Sequence, residues 1–140
     1  MENKKIITIV AAVDIIGALA DDTLKGNIYM FDNNRLKGST GEGTDKLITK
    51  IQFNPNEETV LVWNIMPLEP ESFASITQIT ADKEYLLIEK NQYPDSDVVY
   101  WTGTVKKQFG QLSYKLTLGL GTRSAEYSCN LEIIGENKSK

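Results

Sequence analysis

Oxygen-bearing side chains that could bind a cation or a sugar are concentrated in the first third of the chain. They are Asp21, Asp22, Asn27, Asp32, Asn33, Asn34, Glu42 and Asp45. Glycines at 38, 41 and 43 allow positive φ angles, so the polar segment 32–46 is predicted to be a long loop or a loose hairpin. Calcium takes about six to eight oxygen ligands. The order D-N-N-R-L-K-G does not follow an EF-hand loop, so no metal ligand is assigned.

The candidate binding residues lie at the end of the first predicted strand and in the glycine-rich loop. They are Asp14, Asp32, Asn33, Gly41, Gly43, Thr44 and Asp45. Functional residues gather on loops that a rigid scaffold presents. Two interpretations of Asp14 stay open. Its carboxylate could bond to nearby backbone amides where the strand ends, or it could bind a cation or a sugar hydroxyl.

The residue types that most catalytic sites need are missing or isolated. The chain has no His, which removes the commonest general base and the usual partner of a catalytic Ser or Cys. The glycine-rich loop lacks the Gly-Lys-Ser/Thr ending that holds phosphate and magnesium. Cys129 falls on the apolar side of a strand pattern and is interpreted as an inert buried thiol. We therefore predict no catalytic residue, no cofactor and no enzymatic activity.

Composition and charge are those of an ordinary globular protein. The 140 residues are 41% hydrophobic and 24% charged, which argues against disorder and predicts one domain over residues 1–140. The formal net charge of −4 argues against a nucleic-acid partner, because such proteins need a basic surface. Cys129 is the only cysteine and favours a reducing compartment, so a cytoplasmic location is expected.

The apolar run near the N-terminus is predicted to be a strand. Residues 6–16 are rich in Ile and Val, and alternate from Ile7 to Ile15. This pattern predicts a central strand that is covered on both faces near its middle. Asp14 interrupts the run, which is also too short for a bilayer span, so neither a signal peptide nor a membrane interaction is predicted.

The firmest prediction of fold comes from residues 98–134. Apolar residues occupy every second position from Leu112 to Leu120 and again from Tyr127 to Ile133. Because side chains on a strand alternate between two faces, these two segments predict a hairpin with one apolar face. The Gly-Gln-Leu-Ser-Tyr sequence ending at Tyr114 resembles a tyrosine corner, whose hydroxyl bonds back to the preceding connection.

The remaining segments extend the same pattern. Strands are predicted at 27–31, 47–53, 59–66 and 73–80, and residues 17–27 are predicted to be a polar connection. Residues 81–92 fit either a strand or a helix, and the flanking pattern favours a strand at 84–90. The resulting eight or nine strands predict an all-β, antiparallel sandwich of immunoglobulin-like type, with a jelly roll as the alternative.

Four aromatic residues could form a platform for stacking sugars. They are Tyr29, Trp63, Tyr100 and Trp101. Aromatic residues in strands are more often core residues or cross-strand partners, and we favour that interpretation.

The glycine-rich loop and its neighbours resemble a known family. Tyr29-Met30 is followed by the pattern Gly38-x-x-Gly41-x-Gly43-Thr44-Asp45-x-Leu47, then by a strand, a polar turn and Trp63. This pattern, together with the Ile-rich first strand, is similar to the PixA/AidA family of bacterial inclusion-body proteins. The resemblance implies a cytoplasmic, non-enzymatic β-sandwich that self-associates and accumulates.

Two classes of function therefore stand at this point. The first is a self-associating protein that forms homo-oligomers, since sheet edges with unpaired amides can pair with another copy. The alternative is a ligand-binding module, such as a calcium-dependent lectin that uses the acidic loop; its small-molecule or glycan ligand is unknown. A hydrolase acting through carboxylates is a third and weaker hypothesis.

Overall fold

The computed structural model describes residues 3–32, 47–54, 56–69, 74–96, 99–121 and 125–137. In chain order the elements are β1 (Asn3–Val13), α1 (Ile15–Asp21), β2 (Ile28–Asp32), β3 (Ile48–Phe53), β4 (Glu57–Pro67), β5 (Ala74–Thr80), β6 (Leu86–Gln92), β7 (Val99–Val105), β8 (Gln111–Leu120) and β9 (Ala125–Asn137). No helix within these ranges has the length and apolar content to cross a bilayer.

The strands form two sheets that pack face to face. The first sheet has the order β2-β1-β4-β7-β6, and the second has the order β3-β9-β8-β5. The predicted all-β sandwich is confirmed. Each sheet also contains a parallel pair, β1 with β4 and β3 with β9. The predicted sandwich was antiparallel throughout, and these two parallel pairs correct it. The period-two pattern is the same for both strand directions, so it could not show them.

Alternation along the strands places one face of each sheet in a common core. In the central pair, Ile7, Ile9, Leu61 and Trp63 are all at most 1% exposed. The predicted hairpin is present as β8 and β9, with Leu116 opposite Cys129 and Tyr114 opposite Leu131. Its apolar positions pack against the first sheet, which is the packing expected of a sandwich.

The core is organised around Trp63, which joins the two sheets. Its indole Nε1 donates a hydrogen bond of 3.3 Å to the Tyr114 hydroxyl on the other sheet, and the ring centroids are 5.5 Å apart. Tyr114 is therefore a partner of Trp63, and the predicted tyrosine corner is wrong. Burial raises the pKa of this hydroxyl well above its ordinary value, although the hydrogen bond from Trp63 opposes the shift.

The segment after β1 differs from the prediction. The strand ends at Val13, and a helix begins at Ile15 within residues predicted to be strand and polar connection. Asp14 caps this helix, and Ile15 and Ala18 are its buried residues. The spacing of three between these two positions is helical. The apolar alternation of β1 continues into Ile15, and this hid the helical spacing in the sequence.

The start of β6 and the exposure of residues along β1 also bear on the predictions. The ambiguous segment 81–92 contains a strand, as favoured, but β6 begins at Leu86 because Asp82 starts a turn and accepts hydrogen bonds from the Tyr85 and Leu86 amides. The prediction that β1 is covered on both faces near its middle holds at Ala11 and Ala12, which are 1% and 4% exposed, whereas Ile6 near its start is 57% exposed.

Candidate functional site

Asp14 takes the first of the two roles predicted for it. Its Oδ1 accepts a 2.9 Å hydrogen bond from the Gly17 amide, while the Ile15 amide donates at 2.9 Å to Oε1 of Glu69. The hydrogen bond from the Gly17 amide lowers the pKa of Asp14. This is the geometry of a helix N-cap, in which the carboxylate satisfies an amide that has no partner within the helix.

The neighbouring acidic residues also have structural partners. Asn27 donates to Asp21 at 3.1 Å, and the Tyr127 hydroxyl donates to Asp22 at 2.8 Å. This second hydrogen bond is the main reason that the pKa of Tyr127 is raised. Within the described ranges, no three side chains of His, Cys, Asp or Glu are grouped so that they could hold a metal ion.

Asp32 lies at the opposite end of β2 and links the two sheets. Its Oδ2 accepts a 3.1 Å hydrogen bond from the hydroxyl of Thr49 on β3, and Thr49 is fully buried. The predicted residues Asn33, Gly41, Gly43, Thr44 and Asp45 lie outside the described residues. Binding of a ligand by the glycine-rich loop therefore stays a prediction, and the structure does not bring Asp14 and Asp32 together.

The aromatic platform is not assembled. Trp63 faces the core, and Trp101 lies directly opposite it on β7 and faces the same way. Tyr29 and Tyr100 are at alternate positions and therefore face away from the core. The interpretation as core residues and cross-strand partners holds for the two tryptophans. Cys129 is half-buried and packs against the core.

The outer face of the first sheet is a surface that the sequence analysis did not identify. We define the apolar face by the apolar residues among the outward-facing positions of its five strands. These are Ile6, Val10, Ala12, Tyr29, Phe31, Val60, Val62, Met66, Leu87 and Tyr100. Most antiparallel sheets with one solvated side carry polar residues on it. Ile6, Met66 and Leu87 are instead 57%, 50% and 45% exposed.

Charges on the apolar face are confined to its margins. Lys4 and Glu58 lie opposite each other at one end of the parallel pair, and Glu89 is on the edge strand β6. The rows between these positions contain Thr8, Asn64 and other uncharged residues. If a second copy packed against this face, few charged side chains would therefore be desolvated.

The outer face of the second sheet provides an internal comparison. Ser113 and Lys115 on β8 lie opposite Glu132 and Asn130 on β9. Thr117 and Ser128 share a hydrogen bond of 3.1 Å between their hydroxyl oxygens. This face follows the usual alternation of apolar residues inside and polar residues outside. The apolar face is thus a property of one sheet and not of the whole surface.

A second feature lies at the side of the sandwich where β5 and β6 are the last strands of their sheets. We call this opening the seam. One cavity of about 520 Å³ is lined by Ile65, Ile76, Lys90, Val99 and Trp101, among others. The next, of about 450 Å³, is lined by residues that include Ile79, Lys83, Leu86, Ile88 and Lys106. Both volumes lie within the range of small-molecule sites, roughly 300–1,000 Å³.

A known family model matches most of this chain. The family model described as domain of unknown function DUF8788 matches residues 5–126. The chain belongs to this family. Among curated proteins, no sequence gives a significant match.

Two solved structures are similar to this chain to different degrees. The crystal structure of an inclusion body protein, PixA, from Burkholderia cenocepacia J2315 aligns with a TM-score of 0.72 and 13% identity, over 96% of this chain and 96% of that chain. The cysteine protease inhibitor EhICP2 from Entamoeba histolytica aligns with a TM-score of 0.37 and 13% identity, over 64% of this chain and 85% of that one. The first alignment shows a PixA-like fold, so the resemblance predicted from the sequence is confirmed for the fold.

The apolar face had only an indirect signal in the sequence. Val60 and Val62 alternate with Leu61 and Trp63, so β4 is apolar at consecutive positions. A run of this kind indicates a strand with two apolar faces. The sequence did not show that β4 pairs with β1, because the two strands are far apart in the chain. It therefore did not show that their outer faces form one surface.

Proposed function

We propose that this protein is a non-enzymatic, cytoplasmic β-sandwich that self-associates through the apolar face of its first sheet. The observation that carries this proposal is the absence of charge from the centre of a five-stranded face whose exposed residues include Ile6, Met66 and Leu87. The PixA structure with the same fold is described as that of an inclusion body protein. Accumulation as stored bodies is part of the same proposal.

The geometry favours an interface between identical faces. In a two-fold dimer each copy contributes the same patch, so the patch must be complementary to itself. An uncharged face meets this condition, whereas a face with net charge would repel its copy. Two sheets that pack in this way lie about 10 Å apart, as in the core of a sandwich.

The hydrophobic free energy available at this face predicts a weak dimer. Full burial of a large apolar side chain contributes about 1.5–3 kcal/mol. Five residues of the face are between 39% and 57% exposed: Ile6, Tyr29, Phe31, Met66 and Leu87. Burial of the exposed part of each contributes about 1 kcal/mol, or about 10 kcal/mol for two copies. Association costs about 4–15 kcal/mol, which leaves at most about 6 kcal/mol, so we expect a dissociation constant between tens of micromolar and the millimolar range.

Sedimentation velocity over a concentration series tests this proposal. The wild-type protein should shift from monomer to dimer or larger species as concentration rises. The double variant Ile6→Lys with Met66→Lys should remain monomeric over the same range, because each dimer would bury four unpaired ammonium groups.

A control variant that adds the same positive charge elsewhere distinguishes an effect of the apolar face from an effect of net charge. Ser113→Lys with Asn130→Lys places two lysines on the polar outer face of the second sheet, where both native residues are exposed. It should associate as the wild type does. Equal loss of association in both double variants would reject the apolar face, and a wild-type monomer at millimolar concentration would reject self-association.

A further inference from the structure

The seam has a charge opposite to that of the whole protein. The chain has 19 acidic and 15 basic residues, for a net charge of −4. Among the described residues that line the two cavities, each charged one is a lysine: Lys90 in the first, and Lys83 and Lys106 in the second. Glu84, which is close in sequence, is engaged in an ion pair with Lys107. Within the described residues, none of the three seam lysines forms an ion pair.

The remaining lining is largely hydrocarbon. Ile65 and Ile76 line the first cavity, and Ile79, Leu86 and Ile88 line the second. All belong to the inner faces of their sheets, so the seam is the place where the core opens to solvent. An apolar cleft with a few convergent polar groups is the usual form of a small-molecule site.

From this combination we propose that the seam binds an amphipathic anion of the long-chain carboxylate class. The hydrocarbon chain lies between β5 and β6 against the isoleucines, and the carboxylate is held in the first cavity, which Lys90 and Trp101 line. Lys83 and Lys106 in the second cavity add to the positive charge of the seam. The proposal concerns a different surface from the apolar face and does not depend on self-association.

Protection of the sheet edge explains only one of the three lysines at the seam. An inward-facing lysine on an edge strand prevents pairing with another sheet, and Lys90 is such a residue because it lies opposite Trp101 in the ladder. Lys83 is in the turn before β6, and Lys106 follows β7. Neither of these two occupies an edge-strand position, so protection of an edge does not account for them.

Trp101 provides a second observation at the first cavity. Its indole Nε1 is shielded from solvent and finds no acceptor among the residues that the structure describes. A buried donor without a partner costs about 1–3 kcal/mol. The carboxylate of a bound ligand is an acceptor that would satisfy this donor after a small local adjustment.

Dodecanoate below its micelle-forming concentration is a suitable probe, with dodecyltrimethylammonium as a control that has the same chain and the opposite charge. Nitrogen-15 NMR follows the two indole N–H signals, and Trp101→Phe assigns them. We expect saturable, one-to-one binding of dodecanoate that moves the Trp101 signal more than that of Trp63. The measurement uses the Ile6→Lys, Met66→Lys double variant, which removes binding to the apolar face. Equal binding of the cationic control would overturn the proposal.

Substitutions at the seam test the lysines separately from the fold. Lys90→Gln should weaken dodecanoate roughly two- to fivefold, as expected for an exposed charge pair, and Lys106→Gln in the second cavity should weaken it less. Lys115→Gln, on the polar face of the second sheet, should bind as the parent does. Val99→Glu adds a carboxylate at a position that is 43% exposed, and should abolish binding while the melting temperature is retained. Unchanged affinity in all the seam variants would show that the site is elsewhere.

Discussion

Gly103 is the position at which packing around Trp63 can be tested most directly. It lies on β7, opposite Leu61 of β4 and Ile88 of β6. A Cβ atom added there would lie 2.7 Å from Cη2 and 2.8 Å from Cζ3 of Trp63. Real Cβ atoms do not approach other atoms so closely, so Gly103→Ala must displace the indole ring. The ring is fully buried and bonded to Tyr114, which leaves it little freedom to move.

The expected loss of stability follows from two opposing effects of the added methyl group. Overpacking of a core costs about 1–3 kcal/mol. Replacement of glycine by alanine lowers the entropy of the unfolded chain and by itself stabilises by about 0.4–1 kcal/mol. Because the cost of overpacking exceeds this gain, Gly103→Ala should lower the free energy of unfolding by about 1–2 kcal/mol and the melting temperature by roughly 3–10 °C.

Urea denaturation at a protein concentration below that of self-association measures this loss. Gly110→Ala is the matched control, since a Cβ at Gly110 would have no atom within 4 Å, and it should be neutral or stabilising. Combination of Gly103→Ala with Trp63→Phe removes the clashing ring atoms, so the two substitutions should cost less together than the sum of their separate costs. If Gly103→Ala is as stable as Gly110→Ala, the packing argument is refuted.

Three further predictions follow from contacts elsewhere in the fold. Tyr114→Phe leaves the buried Trp63 N–H without its acceptor and should cost about 1–3 kcal/mol in urea denaturation, with no comparable loss for the exposed Tyr93→Phe. Asp14→Asn should lower the melting temperature above pH 3.8. The lowered pKa of Asp14 means that its contribution is complete above the unfolded value and is lost as pH falls through the folded value, so the two proteins should converge in acid. Gly17→Ala should destabilise α1, because its Cβ would lie 2.4 Å from Oδ1 of Asn27; in thermal denaturation, stability equal to that of Gly110→Ala would contradict this.

Local periodicity was sufficient to predict the sandwich, and it failed where the decisive contact is not local. The alternation in β8 and β9 directly gives a hairpin whose partners are near in sequence. Trp63 and Tyr114 are separated by 51 positions, and nothing in either segment indicates that one bonds the other. The Ile-rich run concealed α1 because Ile15 continues the strand alternation while it also begins the helix.

Two of the predicted binding residues, Asp14 and Asp32, lie within the described residues. Asp14 and Asp32 are oxygen ligands by residue type, but the structure assigns them to a helix cap and to a link between the sheets. Gly17 and Thr49 donate to these carboxylates, and only the folded chain shows which donors are near. Residue type alone therefore did not distinguish a structural role from a binding role for Asp14 and Asp32.

The exposed start of β1 leads back to function. Consecutive apolar residues predicted a strand covered on both faces near its middle, and the same pattern recurs in its parallel partner β4 at Val60 and Val62. The second sheet covers the inner face of this pair, while Ile6 and Met66 on the outer face are about half exposed. Around Ile6 and Met66 the sequence thus has the composition of a doubly covered sheet, and the described chain supplies one cover there. In the dimer that we propose, a second copy of the same face would supply the other cover without opposing charges, and this would account for the apolar residues on the outer face.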